Sequence, residues 1–189
     1  MDFDYNCLRE LFRGSPATQT VLGKLELTLH RRLEKDYREL LLLCGGLAGY
    51  VSEENFLVLW GHDELERFNE AYEVRTYASD LLLIGSTGLG EALAYDYGDP
   101  ATPVVFVPFV GLSRTRTLFA AASLKEYILK LGPIKPQGLG EADETEVFEI
   151  KPILFGGDPV DPKNKTFVNR SQHIELARFW NKLLRDRTS

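Results

Sequence analysis

The stretch that most constrains the fold of this chain is Leu81-Leu-Leu-Ile-Gly-Ser-Thr-Gly-Leu-Gly-Glu-Ala-Leu-Ala-Tyr-Asp-Tyr97. Four consecutive apolar residues, Leu81 to Ile84, lead into a turn punctuated by Gly85, Gly88 and Gly90. Beyond it the pattern alternates, with Leu93, Tyr95 and Tyr97 on one face and Ala92, Ala94 and Asp96 on the other. A continuous apolar run before a turn and strict alternation after it predict two paired strands, one buried and one half-buried. Glycines collect at such a turn because tight connections need positive φ or leave no room for a Cβ. The expected setting is the centre of an antiparallel sheet.

A strand, a glycine turn and Glu-Ala-Leu-Ala also suggest a phosphate-binding strand–helix unit. The spacing Gly85-x-x-Gly88-x-Gly90 is not the Gly-x-Gly-x-x-Gly fingerprint. A helix beginning at Glu91 would run into Gly98 and Pro100 within about three turns at ~3.6 residues per turn. The hairpin is the better reading, and it carries no chemistry of its own.

Around this hairpin the chain reads as helices first. Residues 5–13 predict a short helix with Leu8, Leu11 and Phe12 on one side, ended by Gly14. Ser15-Pro16 is placed to open a second helix, on which Val21, Leu22, Leu25, Leu29 and Leu33 recur at helical spacing. Lys35 to Cys44 forms a third, with Tyr37, Leu40, Leu41 and Cys44 on one stripe before Gly45-Gly46. Strand signals follow at Gly49–Val51 and Phe56–Trp60, then a short amphipathic helix over 63–72 with Leu65, Phe68 and Tyr72 inward. Its other face carries Asp63, Glu64, Glu66, Glu70 and Glu73, a pattern that most often means only a solvated face. Val104 to Phe109 is another strand, and Pro108 belongs at an edge or a strand end. Ser123-Leu-Lys-Glu126 has the form of a capping box, opening a helix that Gly132-Pro133 stops.

The expected fold is therefore α+β: an antiparallel sheet with N-terminal helices and a closing helix packed on it. Residues 1–132 form this domain. Residues 133–189 form an extension: a segment rich in Pro, Gly and acid (Glu141, Asp143, Glu144, Glu146, Glu149), a strand near Val147–Ile150, and an amphipathic helix capped by Ser171. Leu176, Phe179, Trp180, Leu183 and Leu184 are its expected inner stripe, with Arg178, Lys182, Arg185 and Arg187 outward. The basic helix and the acidic segment are placed to pair with each other.

A chain of 189 residues buries enough surface, roughly 70% of the unfolded total, to need neither disulfides nor metal. The formal charge of −6 argues against direct nucleic-acid binding and suits a basic protein partner. Cys7 and Cys44 have apolar surroundings and no Cys-x-x-Cys spacing, so both are expected as core thiols in a reducing compartment. The first residues, Met-Asp-Phe-Asp-Tyr-Asn, lack the regions of a signal peptide, and no apolar run reaches the ~20 residues that span a bilayer, so a cytoplasmic protein is expected.

The sequence carries no local signature of catalysis. His30, His62 and His173 fall on separate elements without ligand spacing, no serine sits in a Gly-x-Ser-x-Gly elbow, and neither cysteine has a catalytic signature. Asp96, between Tyr95 and Tyr97, comes nearest to a tuned carboxylate. No catalytic residue, metal or cofactor is expected.

The order of landmarks resembles the SUKH superfamily, which includes the yeast cell-wall synthesis regulator and many bacterial immunity proteins of polymorphic toxin systems. Leu33, Tyr37 and Gly45-Gly46 match its first motif; Ile84-Gly85-Ser86, Gly88, Gly90, Tyr95 and Asp96 match the second; Ser123, Glu126 and Tyr127 match the third. Glu34, Cys44 and Leu124 depart from the pattern, where the family has proline, asparagine and phenylalanine. The resemblance spans roughly residues 15–131. It implies a non-catalytic α+β domain that binds and blocks a cognate toxin domain, often a nuclease, or else an intracellular scaffold with a host partner. The candidate contacts are the acidic helix face (Asp63, Glu64, Glu66, Glu70, Glu73) and an exposed aromatic beside it, Trp60, because interface anchors are commonly aromatic.

Overall fold

The computed structural model describes residues 3–138 and 145–188. Glu141, Asp143 and Glu144 of the acidic segment lie outside the described residues. After a 3-10 helix at Tyr5–Leu11 come α1 (Gln19–Leu29) and α2 (Lys35–Leu43), then β1 (Leu47–Tyr50) and β2 (Phe56–Leu59). Two short helices, α3 (Leu65–Ala71) and α4 (Val74–Tyr77), lead to β3 (Leu81–Ser86), β4 (Glu91–Asp96), β5 (Val104–Pro108) and β6 (Leu118–Ala121). The chain continues through α5 (Leu124–Lys130), β7 (Gln137–Gly138), β8 (Thr145–Glu149), β9 (Lys165–Asn169) and α6 (Arg170–Thr188).

Seven strands pair antiparallel in the order β6-β5-β4-β3-β2-β1-β7, and β8 pairs with β9 in a small second sheet. The fold is α+β, as expected from the sequence. The glycine hairpin lies at its centre, with β3 and β4 flanked on both sides. Gly85 is not in the turn, however. It sits within β3 at a register shift between Leu83 and Gly85, and a Cβ there would collide with the carbonyl oxygen of Val58 on β2. The turn proper spans 87–90. Gly88 has φ +79°, and its missing Cβ would lie 2.7 Å from the ring of Phe56.

The expectation that β4 is half-buried is corrected: Ala92, Ala94 and Asp96 are as buried as Leu93 and Tyr95. One face is covered by α2 and α5, where Tyr37 approaches Tyr95 and Phe106 meets Tyr127 edge-on. The other is covered by α3 and by the C-terminal extension, where Tyr72, Phe109, Phe148 and His173 pack ring on ring. Asp36 joins the first layer together. Its carboxylate accepts from the Tyr95 hydroxyl (2.6 Å) and from the Leu124 amide at the start of α5 (2.6 Å).

Local signals were read correctly where they were local. Ser123 Oγ accepts from the Glu126 amide, and the Glu126 carboxylate reaches back to the Ala122 amide. The start of α1 differs: Thr18, not Ser15, caps it, and His30 at φ 53° ends it, so α1 and α2 are separate helices. Pro108 lies at a strand end, since β6 covers the far side of β5. Cys44 is buried, but Cys7 is exposed, because the 3-10 helix turns Tyr5, Leu8 and Leu11 inward instead.

The terminal helix is rotated from its expected face. Its buried residues are His173, Ala177 and Asn181, while Phe179 is exposed and Trp180 only half-buried. Asn181 is tolerated there because it accepts from the Gly111 amide (2.6 Å) and donates to the Phe109 carbonyl (2.9 Å). The helix is capped by Asn169 rather than Ser171: Asn169 Oδ1 accepts from the Gln172 amide and Gln172 Oε1 from the Asn169 amide, both at 3.0 Å.

Glycines with and without room for a Cβ are separable by stability measurements. Gly85→Ala is expected to destabilise by about 1–3 kcal/mol, because the added methyl meets rigid backbone. Gly23→Ala, in mid-α1 with nothing within 4 Å of the new methyl, is expected to stabilise by about 0.5–1 kcal/mol. Urea denaturation of the two variants checks both signs.

Candidate partner-binding surface

The family-motif residues are architectural. The Tyr37 hydroxyl, fully buried and pushed upward in pKa by that burial, donates to the Trp60 carbonyl at 2.7 Å. Gly45 approaches the backbone of Gly14 where a Cβ would come within 2.7 Å, and Gly46 likewise fits against Leu59. Gly90 has φ +87° at the end of the hairpin turn. Asp96 holds a corner: its Oδ1 accepts from the Gly98 amide and from Arg114 Nε, at 2.9 and 2.8 Å.

The acidic face of α3 is not one surface. Glu64 turns back to accept from the Gly61 amide (3.1 Å) and lies 3.9 Å from Arg13. Glu73, at φ 56°, breaks the helix between α3 and α4 and lies 3.7 Å from Arg178 of α6. Asp63, Glu66 and Glu70 have no ion-pair partner among the described residues, and Asp63 and Glu70 are exposed. Glu66, Glu70 and Glu73 form one wall of a groove of about 660 Å³, whose opposite wall is the C-terminal end of α1 and whose floor includes Leu81 and Leu82. Arg31 and Arg75 also line it, so its charge is mixed.

Trp60 is corrected outright: it is 0% exposed. Its ring stacks on Tyr72 (6.1 Å, 4°), meets Phe68 edge-on at 5.0 Å and has Arg170 above it. Strand periodicity placed it correctly just past β2, but its cover comes from Phe68 and Tyr72 on the element that follows and from Arg170 of α6, which is remote in sequence. It lines, from beneath, a cleft of about 470 Å³ together with Arg13, Phe56, Glu64, Arg67 and Arg170.

Behind this cleft lies a buried polar knot that sequence reasoning missed. Ser86 Oγ donates to Glu146 at 3.0 Å, Glu146 pairs with Arg170, and the Tyr72 hydroxyl meets His173 Nδ1 at 2.8 Å. Burial pushes the Tyr72 phenol upward in pKa, and Arg170 donates to its oxygen. Tyr72 therefore donates to Nδ1, and the neutral imidazole carries its proton on Nε2. A serine, a carboxylate and a histidine together invite a hydrolytic reading. The geometry refuses it, because Ser86 bonds the carboxylate rather than the imidazole and all three are buried. The knot joins the central hairpin, α3 and the extension. Only the expected pairing of the acidic segment with the basic helix hinted at it, through Glu146, although Arg170 was not among the basic residues singled out.

Among the described residues no group of three or more His, Cys, Asp and Glu is placed to hold a metal ion, and no helix is long and apolar enough to cross a membrane. The fold and its openings define an α+β sheet domain with shallow surface grooves. The family model of the SMI1 / KNR4 family (SUKH-1) matches residues 16–130, and the chain belongs to that family. Membership supports a protein-interaction or immunity-type role in general terms. No curated protein matches the chain.

The knot generates a pH signature. Burial, aided by Arg170, pushes His173 down to about 3, against about 6.5 in an unfolded chain. Between those values the unfolded state binds a proton that the folded state refuses, so stability is full above pH 6.5 and falls as the pH drops. The expected slope approaches about 1.4 kcal/mol per pH unit below 6.5. His173→Gln is expected to be less stable at pH 8 and to show a shallower loss between pH 6.5 and 5. Chemical denaturation across that range measures both.

Proposed function

We propose that this protein is an immunity protein: a non-catalytic inhibitor that binds a cognate toxin domain and neutralises it in the cytoplasm of the cell that makes both. The observation that carries this reading is membership of the SMI1 / KNR4 family (SUKH-1) across residues 16–130. Its chemistry is consistent with that role. The chain is acidic, with a formal charge of −6, and Asp63 just before α3 and Glu66 and Glu70 on it have no ion-pair partner among the described residues. Unpaired surface acids steer a basic partner, such as a nuclease with a cationic cleft, and raise its association rate.

Titration calorimetry against the C-terminal domain of a large secreted protein encoded beside this one is the direct test. One-to-one binding with loss of the domain's toxicity is the expected result; absence of both heat and protection sinks that pairing and brings a scaffold role with a host partner forward. Steering has its own readout. Glu66→Lys/Glu70→Lys is expected to slow association by about tenfold at low salt, with a smaller effect on dissociation and a flatter salt dependence. Unchanged association kinetics in stopped flow would remove this face from the interface.

A further inference from the structure

A third opening differs from the two beside α3 in both shape and chemistry. At the tip of the central hairpin, a groove of about 450 Å³ runs between β2, the 87–90 turn, α5 and the small sheet. Its walls are aromatic and aliphatic. Tyr50 and Phe56 meet edge-on at 5.4 Å, and Phe106 and Tyr127 do the same at 5.5 Å. At its mouth stand Leu89, 76% exposed, Phe167, 74% exposed, and Tyr50, 40% exposed.

These side chains are not there to fill the core. Val147 faces Phe167 across the β8–β9 pair, and β8 is tied to the hairpin by the Val147 amide donating to the Gly88 carbonyl. Leu89 is carried on a turn whose conformation is set by glycines on either side, at φ +79° and +87°. Rigid, preorganised apolar groups around a concavity are what a protein interface uses as anchors, since little ordering entropy is lost on binding.

The rim decides the occupant. Glu54 and Glu91 line the groove without an ion pair, and no lysine or arginine is among the described residues that line it. The Tyr127 hydroxyl, pushed up to about 12 by burial and by Glu91, stays protonated and adds a donor rather than a charge. A second copy of a chain with formal charge −6 brings net repulsion at long range. The chain's own segment 139–144, Leu-Gly-Glu-Ala-Asp-Glu, carries the same sign as the rim.

The geometry points to this groove as the anchor site for a protein partner that inserts an aromatic or aliphatic side chain flanked by lysine or arginine. This deepens, and rests on, the reading of the molecule as a binding protein. It assigns the hydrophobic anchor to the hairpin tip, whereas the acids of α3 govern the rate of encounter.

The test uses the full chain and the capped tripeptide Lys-Phe-Lys as probe, with Lys-Ala-Lys and Glu-Phe-Glu as controls, followed by amide chemical shifts. Lys-Phe-Lys is expected to give saturable shifts at Tyr50, Leu89, Glu91 and Phe167, with a Kd on the order of 1 mM, as befits so small a ligand. Both controls are expected to bind at least tenfold more weakly. Phe167→Ser and Glu54→Lys change exposed side chains, so each is expected to keep the parent melting temperature and to lose at least threefold in affinity. No saturable shift with Lys-Phe-Lys, an equal response to Glu-Phe-Glu, or self-association through the same residues overturns the inference. Neutralisation assays separate it from the function itself. If Phe167→Ser still protects fully against the cognate domain, the groove is wrong and immunity stands; if the parent protein protects against none, immunity is wrong and the peptide data stand alone.

Discussion

A sheet whose central strands are buried on both sides has to be covered twice, and that requirement organises this molecule. Residues 16–130, the part matched by the family model, supply most of the first cover in α2 and α5, which the 3-10 helix joins with buried Tyr5 under Lys125. On the second face they supply chiefly α3. The remainder of that face, around Tyr72 and Phe109, is closed by β8 and α6 of the extension. The lid is not purely apolar. It brings Glu146, Arg170 and His173 into the interior, where each needs a partner. Ser86, Tyr72 and the ion pair supply most of them, leaving His173 Nε2 without one. Such a junction is selective: a lid displaced by one helical turn would strand a buried charge.

What was legible in the chain follows from the range of the interaction that fixes each residue. Gly88 and Gly90 were readable because positive φ is a local demand. The Ser123 capping box was readable because both partners lie within a few residues. The central pairing of β3 with β4 was readable because a short turn forces its two strands together. Gly85 was recognised as special, but for the wrong reason. It is required by the carbonyl of Val58, twenty-seven residues away and on a different strand.

The candidate site was harder for the same reason. Trp60 was expected outside as an aromatic anchor beside the acidic face; its cover is Arg170, Phe68 and Tyr72. Helical periodicity on α6 favoured Leu176, Phe179 and Trp180, yet the buried row is His173, Ala177 and Asn181. A hydrophobic count ranks those last three poorly. His173 and Asn181 win because backbone groups of Phe109 and Gly111 and the Tyr72 hydroxyl are fixed in place to receive them, and a satisfied buried polar group costs little. The same rotation places Phe179 in solvent. β6 and β9 were missed for a related reason: their large apolar residues, Leu118, Phe119 and Phe167, point outward.

In the proposed complex, electrostatics and anchoring separate in space. Had the acids of α3 formed one anionic face, charge alone would have been an adequate description of a basic partner's docking. Instead Glu64 and Glu73 are engaged with the Gly61 amide, Arg13 and Arg178. Arg31 and Arg75 soften the groove beside the rest. Screened charges at this density act over about a Debye length, ~8 Å at physiological salt, and set how often partners meet more than how long they stay. Lifetime comes from desolvated apolar contact, and among the described residues α3 exposes no large apolar side chain. Leu89 and Phe167 offer that contact, held outward by a glycine turn and a paired strand that give them little freedom to fold back. The twice-covered sheet makes this possible, because a core that closes without those two side chains leaves them available at the surface.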